Sequence, residues 1–183
     1  MGHRLRSRHG LLDSNQGSAT ATVCNAEGEA VGEGNVQVAQ GPTGVVYNGD
    51  AAGFALGDAA APSAFIFATV GGGIFGWSDA VDPTRAVQVV DASAGGASYT
   101  GLAMADDGDR SLLYAADFHD GLVDVYDSDF APVDLGADAF VDPDLPDGYA
   151  PFGIHDVGGE IYVAFAKQDA NAEEEEAGPG WAT

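Results

Sequence analysis

A single cysteine, a single lysine and only six basic residues in 183 leave this chain short of groups that often reveal a function. Cys24, being alone, closes no intramolecular disulfide and builds no cysteine-rich metal site, so it reads as a small half-buried strand residue. Six Lys and Arg against 29 Asp and Glu give a formal charge of −23. Such a chain repels a phosphate backbone instead of steering it in, which excludes nucleic-acid binding. No apolar run approaches the roughly 20 residues needed to cross a bilayer, which excludes a transmembrane helix. Large apolar residues are scarce as well: Leu, Ile, Val and Phe number 40, while 32 of the 83 hydrophobic residues are Ala. By composition the chain sits just on the folded side of the boundary with disorder.

The N-terminal stretch Met1 to His9 holds three of the six basic residues and two of the four His. A basic start resembles the n-region of a signal peptide, but Gly10, Leu11, Leu12 and Asp13 follow where an apolar core is required. No signal peptide is legible. Residues 1–10 read as an atypical, disordered basic segment, and Met1 to Leu12 fits neither strand nor signal.

What the chain does contain is a repeat. Gly72-Gly-Ile-Phe-Gly-Trp77, Gly121-Leu-Val-Asp-Val-Tyr126 and, more weakly, Ala19-Thr-Ala-Thr-Val-Cys24 place Cys24, Trp77 and Tyr126 at intervals of 53 and 49 residues. Before each lies a short apolar run: Phe65-Ile-Phe-Ala-Thr69, Leu112-Leu-Tyr-Ala-Ala116 and a poor version at Leu11-Leu12. Gly44-Val-Val-Tyr47, Gly101-Leu-Ala-Met104 and Gly153-Ile-His155 open successive units, their glycines 57 and 52 residues apart. A period near 50 built of short strands is the signature of radial β-sheet repeats. The runs are continuously apolar, as expected where both faces of a sheet are covered, and no 3.6-residue stripe appears. Within each unit the Gly-led strand is innermost, followed by the Phe65 or Leu112 strand and the Trp77 or Tyr126 strand. An outer strand follows at Ala86–Val90 and again at Val133–Leu135. Asp106 to Asp109, Val157 to Glu160 and His119 to Gly121 supply the turns between them, with Gly where a tight hairpin demands positive φ. Asp106-Asp-Gly-Asp109 lacks the carboxylate spacing and closing Glu of an EF-hand, so a hairpin is the preferred reading.

These features predict an all-β chain, a β-propeller fragment of four-stranded antiparallel blades. About two blades are full and two partial, at 11–40, 41–95, 99–145 and 150–183. The stretches Tyr114 to Asp127, Asp142-Pro-Asp-Leu-Pro-Asp-Gly-Tyr-Ala-Pro-Phe-Gly-Ile154 and Tyr162-Val-Ala-Phe-Ala-Lys-Gln-Asp169 resemble an uncharacterised family of bacterial β-propellers. That family is similar to NHL-repeat proteins, and some members carry PEP-CTERM sorting tails. The resemblance covers Asn15 to Gly180 and implies an exported, extracellular or cell-surface protein. It also implies a first strand opening with Pro-Trp-Gly, which this chain lacks, and a continuation after Gly180, where Trp181-Ala-Thr183 stands instead. The expectation is therefore a truncated or frame-shifted reading frame whose open blade edges favour self-association.

Candidate chemistry is sparse. His119, in Asp117-Phe-His-Asp120, is either a solvated turn residue or a base oriented by Asp117 or Asp120. His155 and Asp156 follow an innermost strand, close to a central channel. Lys167, in Lys167-Gln168-Asp169, reads as half of an ion pair with Asp169 or Asp156. Position and the resemblance together also make Asp117, Lys167, Gln168 and Asp169 ligand-binding candidates at the channel mouth. A hard cation such as calcium requires converging oxygens, and Asn48 and Asp156 are the candidates at the ends of innermost strands. The run Glu173 to Glu176 is a solvated insertion or a site for a cation or a partner. No nucleophile elbow, Walker loop or zincin motif is present. Three functions remain: a module binding a protein or carbohydrate, a lactonase-like hydrolase using His119, His155 and Asp156, and an inactive truncated product.

Overall fold

The computed structural model describes residues 11–24, 27, 29–57, 61–108 and 110–176. The basic segment 1–10 lies outside them. The described chain is all-β, built of antiparallel sheets that follow one another along the sequence. The first contains β1 (Leu11–Asn15), β2 (Thr20–Cys24) and β3 (Ala30–Gln37). The second begins with β4 (Pro42–Tyr47), is interrupted by the small hairpin β5 (Ala55–Leu56) and β6 (Ala61–Pro62), and continues with β7 (Phe65–Thr69), β8 (Gly73–Trp77) and β9 (Val87–Asp91). β10 (Tyr99–Asp107), β11 (Arg110–Asp117) and β12 (Leu122–Tyr126) form the third, and β13 (Tyr149–Val157) and β14 (Glu160–Lys167) the last. Apart from two three-residue 3-10 turns, Gln16–Ser18 and Ser93–Gly95, the described residues contain no helix. None is therefore long and apolar enough to cross a membrane.

In the second and third sheets the sequential strands pair in a meander, with the Gly-led strand at one edge, as the repeat predicts. Two expectations are corrected. Leu11 and Leu12 lie in β1, paired with Cys24 and Val23, so the strand starts inside the stretch that read as neither strand nor signal. Val133–Leu135 forms no fourth strand. The pairing stops after one bridge between Tyr126 and Pro132, with a bond from the Val133 N–H to Val125 O at 2.8 Å. The Asp134 carboxylate then takes the Gly136 N–H at 2.7 Å and turns the chain away. Only the sheet β4-β7-β8-β9 has four strands among the described residues.

Covered faces explain the continuous apolar runs. Every residue of β7 is buried, because Phe65 and Phe67 pack toward Ala21 and Val36 of the first sheet while Ile66 and Ala68 pack toward Leu102 and Leu113 of the third. On the far side of the third sheet, Ala103, Leu112 and Tyr114 meet Ile154, with Ile161 and Val163 packed alongside. Each fully buried Ile, Leu or Phe contributes about 1.5–3 kcal/mol, so these layers hold neighbouring sheets together.

Strands β4, β10 and β13 lie side by side, and one local device recurs in all three. The register shifts just before the repeat glycine, between Pro42 and Gly44, Tyr99 and Gly101, and Pro151 and Gly153. A Cβ on Gly44 would stand 2.7 Å from the Leu102 backbone nitrogen, and one on Gly101 would stand 3.1 Å from that of Ile154. Glycine thus allows neighbouring leading strands to approach backbone to backbone. Thr43 fastens the first of these contacts by donating its hydroxyl to Tyr99 O at 2.5 Å.

Candidate functional site

The bulges fix which ends of β4, β10 and β13 come together. Pro42 and Thr43, Thr100, and Phe152 surround a cavity of about 1080 Å3, with Gln16 and Val70 contributed by neighbouring turns. The turn after β11 adds Phe118 and His119, and the segment after β14 adds Glu173, Glu174 and Glu175.

One wall is built around Asp117. Its carboxylate, 1% exposed, accepts the backbone N–H groups of Ser98, His119 and Asp120 at 3.0, 3.1 and 3.2 Å. Burial pushes its pKa up, the three N–H bonds notwithstanding. Asp117 therefore braces the turn through Oδ1. His119 is held differently. Its Nδ1 lies 3.2 Å from Ala172 O, so a proton on Nδ1 donates to that carbonyl and leaves Nε2 as an acceptor. The ring edge rests on Gly96, where a Cβ would stand 3.2 Å from Nε2.

Gln168 ties the wall to the last sheet. Its side-chain amide donates to Phe118 O and, at 3.2 Å, to His119 O. Lys167 Nζ lies 2.5 Å from Glu176 Oε2, giving the expected ion pair a partner seven residues beyond Asp169. Asp169 organises the segment after β14, its Oδ1 accepting the N–H groups of Asn171 at 3.1 Å and Glu173 at 3.0 Å. Those bonds, led by the one from Glu173, hold its pKa below the ordinary value. The acidic run is thus pinned at its base, with Glu173, Glu174 and Glu175 lining the mouth.

The other candidates lie elsewhere. His155 is exposed near the opposite end of β13, and Asp156 accepts the Gly159 N–H at 2.8 Å as part of a tight turn. Asp156 lines a separate concavity of about 540 Å3 with Asp50 and Asp106, at the C-terminal ends of the leading strands. His119 and the pair His155 and Asp156 therefore do not converge, which breaks up the hydrolytic constellation that the sequence suggested. Asn48, the other candidate oxygen ligand, is buried: its amide donates to Ser63 O at 2.9 Å and its oxygen accepts the Asp50 N–H at 2.9 Å. It brackets the connection after β4. Among the described residues no group of three or more His, Cys, Asp and Glu is arranged to hold a metal ion.

Two features escaped sequence reasoning. Ser98 lies in the mouth wall, three positions before the repeat glycine, where the other units carry Gly41 and Ala150. Aligning the units on their glycines marks Ser98 as the one polar side chain at that position. Tyr99 donates its hydroxyl to Asp124 at 2.6 Å and shares a 2.8 Å bond with the Tyr126 hydroxyl, tying β10 to β12 across the sheet. Burial pushes the Tyr126 hydroxyl up to about 12 and shifts Tyr99 the same way. Nothing in the spacing of these residues announces the network.

No family model matches the chain. It is 32% identical over 134 residues to an uncharacterized protein of Acanthamoeba polyphaga mimivirus, an alignment covering 70% of this chain and 24% of the relative. The chain thus matches about a quarter of that relative's length.

Proposed function

We propose that the chain is an arc of β-propeller blades acting as a binding module, and that it takes its ligand at the mouth where β4, β10 and β13 begin. The observation carrying this reading is that one end of three like-built strands opens on a single cavity of about 1080 Å3 that gathers His119, Phe152 and the Glu173–Glu175 segment. The resemblance to exported bacterial propellers adds an extracellular or cell-surface setting and a protein or carbohydrate ligand. A lactonase-like reading loses support, because its candidate residues sit at opposite ends of the strands.

The test is a panel of immobilised glycans and peptides, run beside hydrolysis of esters and lactones with and without calcium. Binding without turnover is expected, weakened in His119→Ala and Phe152→Ala and unchanged in Asp156→Asn. Calcium-dependent turnover abolished by Asp156→Asn would replace the binding module with the hydrolase.

A further inference from the structure

We infer that the mouth takes a basic side chain, an arginine of a peptide segment on a protein partner. This inference rests on the binding-module reading and names its ligand class.

The first observation is a hydroxyl with nothing to bond. Ser98 is 8% exposed and lines the cavity, and both its backbone groups are spent: its N–H donates to Asp117 at 3.0 Å and its carbonyl accepts the Phe118 N–H at 2.9 Å. Its side-chain oxygen makes no hydrogen bond to any described residue. That hydroxyl is not among the buried unpartnered atoms, so it opens on the cavity and is free to bond a group that enters it.

The second is the chemistry around that hydroxyl. Glu173, Glu174 and Glu175 line the rim, and no Lys or Arg does. With its Nδ1 proton directed at Ala172 O, His119 offers an acceptor as well. The ring of Phe152, stacked edge-on against Phe118 at 5.4 Å between centroids, adds an aromatic surface to the same wall. Acceptors of several kinds beside an aromatic ring match a planar cation with several donors: a guanidinium stacks on the ring and forks its N–H groups onto carboxylates. The net charge of −23 steers such a ligand inward.

Charge alone would attract basic peptides anywhere on this chain, so the test separates the mouth from the rest of the surface. The probe is a short arginine-containing peptide with blocked ends, titrated calorimetrically against the whole chain. Its counterpart carries neutral citrulline, and a glucosamine oligomer serves as a non-peptide cation. Replacing Glu173, Glu174 and Glu175 by Gln should weaken the arginine peptide about tenfold or more, and Ser98→Ala about threefold. Replacing the exposed Asp129, Asp138 and Asp147 by Asn removes the same charge away from the mouth and should change binding less than about twofold. The citrulline peptide should not bind. Thermal melting establishes that each variant is folded. Equal weakening by both triple variants, unaltered binding to Ser98→Ala, or preference for the glucosamine oligomer would overturn the inference. If a neutral glycan binds and Phe152→Ala abolishes it while the arginine peptide fails, the ligand class falls and the binding module stands. If no probe binds, both fall.

Discussion

Asp117 shows how one residue is read differently once its surroundings are known. In the sequence it is one of 21 Asp, two residues before His119 and a candidate to orient it. In the fold a single oxygen, Oδ1, collects three backbone N–H groups. Asn keeps that oxygen and removes a buried charge, so Asp117→Asn is expected to melt no lower than the parent at neutral pH. Asp117→Ala orphans three donors and should cost about 2 kcal/mol or more. The pH dependence has a definite sign. Burial raises the folded pKa above 3.8, so the folded form holds its proton more tightly than the unfolded one. Any advantage of the parent over Asp117→Asn is therefore greatest below pH 3.8 and declines as pH rises through the folded pKa. Melting curves from pH 3 to 8 check this, and an Asn variant as unstable as the Ala variant would show that the carboxylate's charge is required.

The leading strands carry a prediction of their own, because the same glycine occurs in three different surroundings. At Gly44 and Gly101 an added methyl would collide with the backbone of the next strand, at 2.7 Å from Leu102 N and 3.1 Å from Ile154 N. At Gly153 the nearest atom is the Ala164 Cβ, at 3.7 Å. The outward neighbours match this difference: Ala68 and Ala116, paired with Gly44 and Gly101, are buried, whereas Ala164, paired with Gly153, is exposed, and Tyr162 beyond it is 55% exposed. Overpacking a close contact costs about 1–3 kcal/mol. Gly44→Ala and Gly101→Ala should therefore each lower the denaturation midpoint, with Gly44→Ala the more harmful, while Gly153→Ala leaves it within error. Urea titration distinguishes these outcomes, and a Gly153→Ala loss equal to that of Gly44→Ala would mean that this face is covered in solution.

Across the molecule, the charge of −23 is distributed mainly over turns, where Asp82, Asp91, Asp127, Asp134, Asp142 and Asp169 each accept neighbouring backbone N–H groups. The charges serve local turn geometry, and their sum opposes compaction. Salt shortens the range of that repulsion to about 3 Å at 1 M, so the melting temperature should rise steadily with sodium chloride up to that concentration. A flat or falling curve would show that the turns already neutralise their own field. Much of the fold was legible beforehand: the Gly-led, Phe65 and Trp77 strands, their order and their hairpin turns follow from apolar runs separated by Gly and Asp, since these are local patterns. The missing fourth strand at Val133 was not, because a side-chain bond at Asp134 turns the chain away despite a favourable composition. The site was legible only in pieces. Residues four apart on an extended strand, such as Phe152 and Asp156, are about 13 Å apart along it, and sequence adjacency hides that they serve opposite ends.

Sequence alone determined that this chain would be all-β, that its strands would recur near every 50 residues, and that glycine would lead each unit, since periodicity and turn chemistry act over a few neighbouring residues. Only the tertiary structure decided that His119, Ser98, Phe152 and Glu173–Glu175 share a mouth while Asp156 lines a separate concavity. Those groups are brought together by backbone contacts between strands more than 50 residues apart, and no local pattern encodes them.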